Sequence, residues 1–111
     1  MTGHIVCTID EIAPGSARRF DVEGRSVAVV RIGDDVYALG DTCSHANVSL
    51  SEGEVLVDRK EIECWKHGSA FNLVTGEPFT LPAIKPVPVY AASVIDGNVV
   101  ISVDTVLNGA N

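Results

Sequence analysis

Two short stretches, Cys43-Ser-His45 and Cys64-Trp-Lys-His67, constrain this chain more than any other feature. Each places a thiol beside an imidazole, and residues 46–63 separate the pairs. A fold that uses both must bring two loops together within 111 residues, a length that holds one domain with a modest core. Apolar side chains make up 46% of the sequence, enough for a packed interior.

Between and around these pairs the pattern is that of short strands, with almost no helical periodicity. Residues 26–32, S-V-A-V-V-R-I, are apolar and β-branched; Gly33-Asp34 then supplies a turn, and 36–39 reads as the returning strand. Residues 55–57 and 62–65 bracket another turn at D-R-K-E. Val89 to Ile95 runs into Asp96-Gly97-Asn98 and returns over 99–103, where the Asp-Gly pair tolerates the positive φ of a tight hairpin. Glu11–Ser16, carrying Pro14 and Gly15, reads as a surface loop. Pro82, Pro86 and Pro88 predict a stiff extended segment. Locally connected short strands point to an antiparallel all-β domain.

The formal charge is −7, from 15 acidic and 8 basic side chains. That argues against a nucleic-acid surface and suits the steering of a basic protein partner. Residues 1–20 do not read as a leader, and no apolar run approaches membrane-spanning length, so a soluble, cytoplasmic protein with no membrane association is expected. Three cysteines cannot all pair internally. Cys7, inside H-I-V-C-T-I, reads as a small buried thiol.

Four readings of the Cys–His pairs stand at this point: coincidence, a zinc site, a Cys–His nucleophile and an iron–sulfur cluster. Both pairs sit at strand-to-loop transitions, beside turn residues or glycine, which makes coincidence a poor account. Zinc accepts two thiolates and two imidazoles, but its usual spacing groups cysteine with cysteine. Here each thiolate is grouped with an imidazole. A nucleophilic cysteine needs an orienting group and an oxyanion site, and has no use for a second pair. A [2Fe–2S] cluster uses all four donors. Exchanging two thiolates for neutral imidazoles removes negative charge and eases electron uptake, with potentials of about −150 to +300 mV.

The pairs, together with Leu50-Ser-Glu-Gly53, His67-Gly-Ser-Ala-Phe71, Thr75-Gly76 and the proline-rich segment, resemble the Rieske ferredoxin family. The chain looks most like the soluble ferredoxins of ring-hydroxylating dioxygenases, and is similar to actinobacterial Rieske proteins encoded beside iron–sulfur assembly genes. The resemblance implies an all-β Rieske iron–sulfur domain over 1–105, with an antiparallel sandwich or barrel-like core. A small cluster-binding subdomain is expected at about 41–83 and a frayed tail at 106–111. It implies one [2Fe–2S] cluster, with Cys43 and Cys64 on the inner iron and His45 and His67 on the outer. Ala46, Trp65, Gly68, Ser69, Phe71, Pro82 and Pro86 fall at surrounding or shielding positions, Trp65 as a core or loop-packing aromatic, and Gly76 completes a turn.

Departures from the respiratory-chain members bear on potential. The extra disulfide of those proteins falls at Val48 and Lys66 here, so it cannot form. Ser69 keeps the hydroxyl found near their cluster, while Phe71 replaces a tyrosine. One hydroxyl fewer near sulfur implies a potential below the respiratory type. The resemblance implies a one-electron carrier and not an enzyme, monomeric in isolation, taking electrons from a flavoprotein reductase and passing them to a terminal oxygenase or similar acceptor. An iron–sulfur assembly or redox-sensing role, or service as a nitrite reductase small subunit, would use the same four residues, whereas a structural zinc domain would replace the cluster.

Overall fold

The computed structural model describes residues 3–42, 49–65, 70–78 and 86–107, except the side chains of 104 and 105. Strands β3 (Arg25–Ile32) and β4 (Asp35–Gly40) form the hairpin expected at Gly33-Asp34. Strands β8 (Val89–Ile95) and β9 (Asn98–Val106) form the one expected at Asp96-Gly97. Asp96 and Gly97 both have positive φ, 52° and 78°, which matches the right-handed twist of the flanking strands.

Two strands complete the larger sheet. β1 (His4–Thr8) holds the apolar run with Cys7, which is buried as expected. β2 (Ser16–Val22) was not expected; its sequence S-A-R-R-F-D-V is too polar to announce a strand, because Arg18, Arg19 and Asp21 are exposed and only Val22 is buried. The supposed loop before it is partly ordered. Glu11 closes a 3-10 turn over Ile9–Glu11, Ile12 is buried, and Ser16 already belongs to β2. Arg31 of β3 holds this turn against the sheet, donating Nη1 to the carbonyls of Ile9 at 3.1 Å and Ile12 at 3.0 Å.

The order is β1-β9-β8-β4-β3-β2, antiparallel throughout. The sheet curls until its edges meet: His4 at the start of β1 lies 2.8 Å, Nε2 to Oε2, from Glu23 at the end of β2. The result is a nearly closed barrel-like core. β9 continues to Val106, and the Leu107 N–H donates to Val89 O at 2.7 Å. Order therefore runs past the point where fraying was expected; residues 108–111 lie outside the described residues. No helix among the described residues is long and apolar enough to cross a membrane.

A second sheet, β5-β6-β7, is built from β5 (Glu54–Leu56), β6 (Glu61–Glu63) and β7 (Ala70–Asn72). Val57 and Trp65, expected inside strands, fall just beyond them: Val57 opens a 3-10 turn ending at Arg59, and β6 stops before Cys64. The two sheets enclose separate cores, and β3 belongs to both. Val27 and Val29 point into the barrel, while Ala28 and Val30 pack with Ile62 and Phe71 of the small sheet. Burial on both faces is why β3 reads as a continuous apolar run without alternation. Each such valine contributes about 1.5–3 kcal/mol.

Candidate functional site

The second Cys–His pair lies in the connection between β6 and β7. Glu63 pairs with Ala70, and Ile62 with Phe71, so residues 64–69 form the loop of a hairpin whose neck is held by strand pairing. Cys64 is the first residue of that loop. It is fully buried, outside any disulfide, and packed in the cluster that contains Leu50, Phe71 and Val87. Trp65 follows, and 54% of its surface is exposed. Of the two places expected for it, core or loop packing, this exposure removes the core: the chain leaves β6 at Cys64, and the next side chain is more than half exposed.

The first pair falls between two residues that are themselves paired. Thr42 and Ser49 form an isolated antiparallel bridge, and residues 43–48 lie between them. Cys43, His45 and Ala46 are on this stretch, outside the described residues, as is Val48. His67, Gly68 and Ser69 on the second loop, with Lys66, are outside them too. What the structure gives is both necks, and the residues just beyond them, Leu50 and Cys64, share one buried cluster. The segment leaving the first neck makes a 3-10 turn over Leu50–Glu52 and reaches Gly53, which lies against the Glu63 carbonyl so closely that a Cβ there would overlap it.

A third segment emerges from the same place. The Asn72 carboxamide accepts the N–H groups of Val74 at 2.8 Å and Thr75 at 2.9 Å. Gly76, at φ 73°, completes that turn as expected and accepts the Val87 N–H at 2.9 Å. Phe71 bridges to Pro78. The proline-rich segment therefore leaves at Pro78 and returns at exposed Pro86 and buried Val87; Pro82 lies outside the described residues. Residues flanking all three of these segments, Leu50, Cys64, Phe71 and Val87, thus share one buried cluster.

Sequence reasoning overlooked Asp41 in this arrangement. Asp41 is 3% exposed and sits two positions before Cys43. Its carboxylate accepts the Ser49 hydroxyl at 2.5 Å and the Ser51 N–H at 3.0 Å. The residue types gave little warning, since an aspartate between a strand and a loop ordinarily faces water.

The donor set suits an iron–sulfur group. Cys64 is a buried, free cysteine, the sequence supplies a second cysteine and two histidines close to the two necks, and soft thiolates favour iron–sulfide ligation. Comparison with known proteins agrees. Residues 2–91 match the family model of the Rieske [2Fe-2S] domain. Ferredoxin CarAc of Metapseudomonas resinovorans is 42% identical over 98 residues, covering 87% of this chain and 90% of the relative. The ferredoxin of carbazole 1,9a-dioxygenase from Nocardioides aromaticivorans superposes with a TM-score of 0.89 at 39% identity, over 92% of this chain and 98% of that one. A ferredoxin solved in complex with the reduced oxygenase of carbazole 1,9a-dioxygenase gives 0.82 at 40% identity, over 90% and 92%. With a barrel-like core, a small loop-bearing subdomain and this likeness over most of its length, the chain belongs to the Rieske [2Fe–2S] ferredoxin family, as a one-electron carrier that is not itself a catalyst.

Proposed function

We propose that Cys43, His45, Cys64 and His67 hold the [2Fe–2S] cluster, and that the chain carries electrons from a flavoprotein reductase to the terminal oxygenase of a ring-hydroxylating system. The observation that carries this reading is the pair of loop necks, Thr42–Ser49 and Glu63–Ala70, anchored on the buried cluster that contains Cys64. The cluster, when bound, takes up and releases one electron. Everything else falls to the protein: to supply two thiolates and two imidazoles, keep water from the thiolate side, and present the other side to a partner.

The surface beside the second loop suits a basic partner. Glu54, Asp58 and Glu63 line an open groove with Arg59 and exposed Val57. Trp65 stands exposed two residues from Glu63. Acidic residues speed encounter with a positive surface, while an exposed tryptophan supplies area and a fixed shape for the docked state. The dioxygenase systems named for the relatives supply the partner class.

Electron paramagnetic resonance of the reduced protein, with iron and sulfide assays, tests the ligand set. The wild type and Cys7→Ser should show one rhombic signal and two irons per chain, whereas Cys43→Ser should show neither. Retention of the cluster by Cys43→Ser would end the proposed ligation. For the partner, Trp65→Ala should leave the reduction potential unchanged while lowering kcat/KM for oxygenase turnover by about tenfold or more. Unchanged turnover would remove Trp65 from the docking surface.

A further inference from the structure

The loop 43–48 carries two of the proposed ligands, and a loop that wandered would place them badly. Backbone pairing at its neck is minimal, a single bridge between Thr42 and Ser49. Asp41 adds to that bridge from both sides. Its own carbonyl accepts the Leu50 N–H at 2.6 Å, and its N–H donates to Ser26 O on β3 at 3.0 Å. Its carboxylate takes the Ser49 hydroxyl and the Ser51 N–H, and the Ser49 and Ser51 hydroxyls lie 2.7 Å apart. Arg19 of β2 brings Nε to 3.8 Å from the same carboxylate. A carboxylate buried to this degree is costly unless hydrogen-bonded, and its two hydrogen-bond donors, Ser49 and Ser51, come from the far side of the neck.

The clamped segment continues directly to the second loop. Ser49 and Ser51 are held at one end by Asp41, and Gly53 lies at the other against the carbonyl of Glu63, the residue before Cys64. Residues 49–53 therefore form a short strut, fixed to the barrel through Asp41 and to the second ligand loop through Gly53. The geometry points to Asp41 as a positioning residue for the cluster: with Ser49 and Ser51 it closes the first ligand loop and sets that loop's place relative to Cys64. This rests on the proposed ligands, and Asp41 acts through them without ligating iron.

The test uses the holoprotein and two gentle variants, Asp41→Asn, which keeps the shape, and Ser49→Ala, which removes one donor. Glu11→Gln, on the far 3-10 turn, serves as a control for small changes in general stability. Iron release to a chelator is followed well below the unfolding temperature, together with the resonance spectrum of the reduced protein. Both clamp variants should release iron faster, Ser49→Ala by roughly tenfold for the loss of one hydrogen bond to a charged group. Their spectra should broaden as the ligands sample more than one geometry. Ser49→Thr, which restores the hydroxyl, should return release to within about twofold of wild type. Wild-type release and spectra in both clamp variants would overturn the proposal, as would changes that merely follow the unfolding temperature as the control's do. If the wild type gave no rhombic signal, the ligand reading itself would fall, and the clamp with it.

Discussion

The barrel-like sheet and the small loop-bearing sheet are built on opposite economies of structure. The barrel has long strands, the longest β9 at nine residues, and its hairpins close on tight two-residue turns such as Asp96-Gly97. In the small sheet every strand is three residues long. Strands that short have little stability of their own and need packing against another element. Here Ile62, Phe71 and Leu73 pack against Ala28, Val30 and Leu39 of the barrel. The barrel is a platform, and the small sheet is a set of necks held on it. A cluster bound at these necks is expected to add more order to the second region than to the first.

The largest break in that comparison comes from removing one of the proposed ligands. Cys64→Ser should abolish cluster binding, since an alcohol is a poor substitute for a thiolate, and it leaves a polar group among buried apolar neighbours. Amide hydrogen exchange should then show protection lost across β5, β6 and β7, with β3, β4, β8 and β9 still protected. Equal loss in both sheets would mean that the barrel is no independent platform.

Two glycines sharpen the comparison at single positions. At Gly53 a Cβ would overlap the Glu63 carbonyl, a backbone atom that cannot step aside without moving the second loop. At Gly24, in the β2–β3 turn, a Cβ would meet nothing within 4 Å, and the only obstacle is φ of 80°. Gly24→Ala should cost about 1–2 kcal/mol of unfolding free energy and leave the cluster spectrum alone. Gly53→Ala should cost more and also disturb iron content, because it separates the two ligand loops. Denaturant unfolding alongside iron assay checks both, and a Gly53→Ala protein with full iron and a wild-type spectrum would show the strut to be dispensable.

The same contrast governed how much could be read beforehand. Strands β3, β4, β8 and β9 were legible because their apolar or β-branched runs end at turn residues whose backbone demands are local. The four proposed ligands stand out in the sequence because thiol and imidazole types are scarce and paired. β7 was missed because three residues are too few for a period to show, and β2 because charged residues cover its exposed face. Trp65 read as a core or loop-packing aromatic because its residue type suggests burial, and its exposed position one step beyond Cys64 removes the core alternative. Asp41 and Gly53 act across space on Ser49, Ser51 and Glu63, relations that no local pattern encodes.

The smallest effect is expected at Glu11, on the barrel side, and its sign can be worked out. The Glu11 carboxylate accepts the Thr8 N–H at 2.8 Å and the Thr8 hydroxyl at 3.2 Å, and these bonds, the backbone one first, lower its pKa from the ordinary value. A carboxylate that holds its charge more readily in the folded chain favours folding above its unfolded value of ~4.3. That contribution is lost as pH falls through the lower, folded value. Wild type should thus unfold at a slightly higher temperature than Glu11→Gln at neutral pH, and the gap should close in acid. Cys7 offers a second reading of the same change. Burial first, and the charge of Glu11 second, raise its thiol pKa. Removing the charge should therefore leave Cys7 slow to alkylate, because burial still dominates. A gap in unfolding temperature that persists unchanged below the folded value would mean that Glu11 acts through the shape of the 3-10 turn and not through its charge.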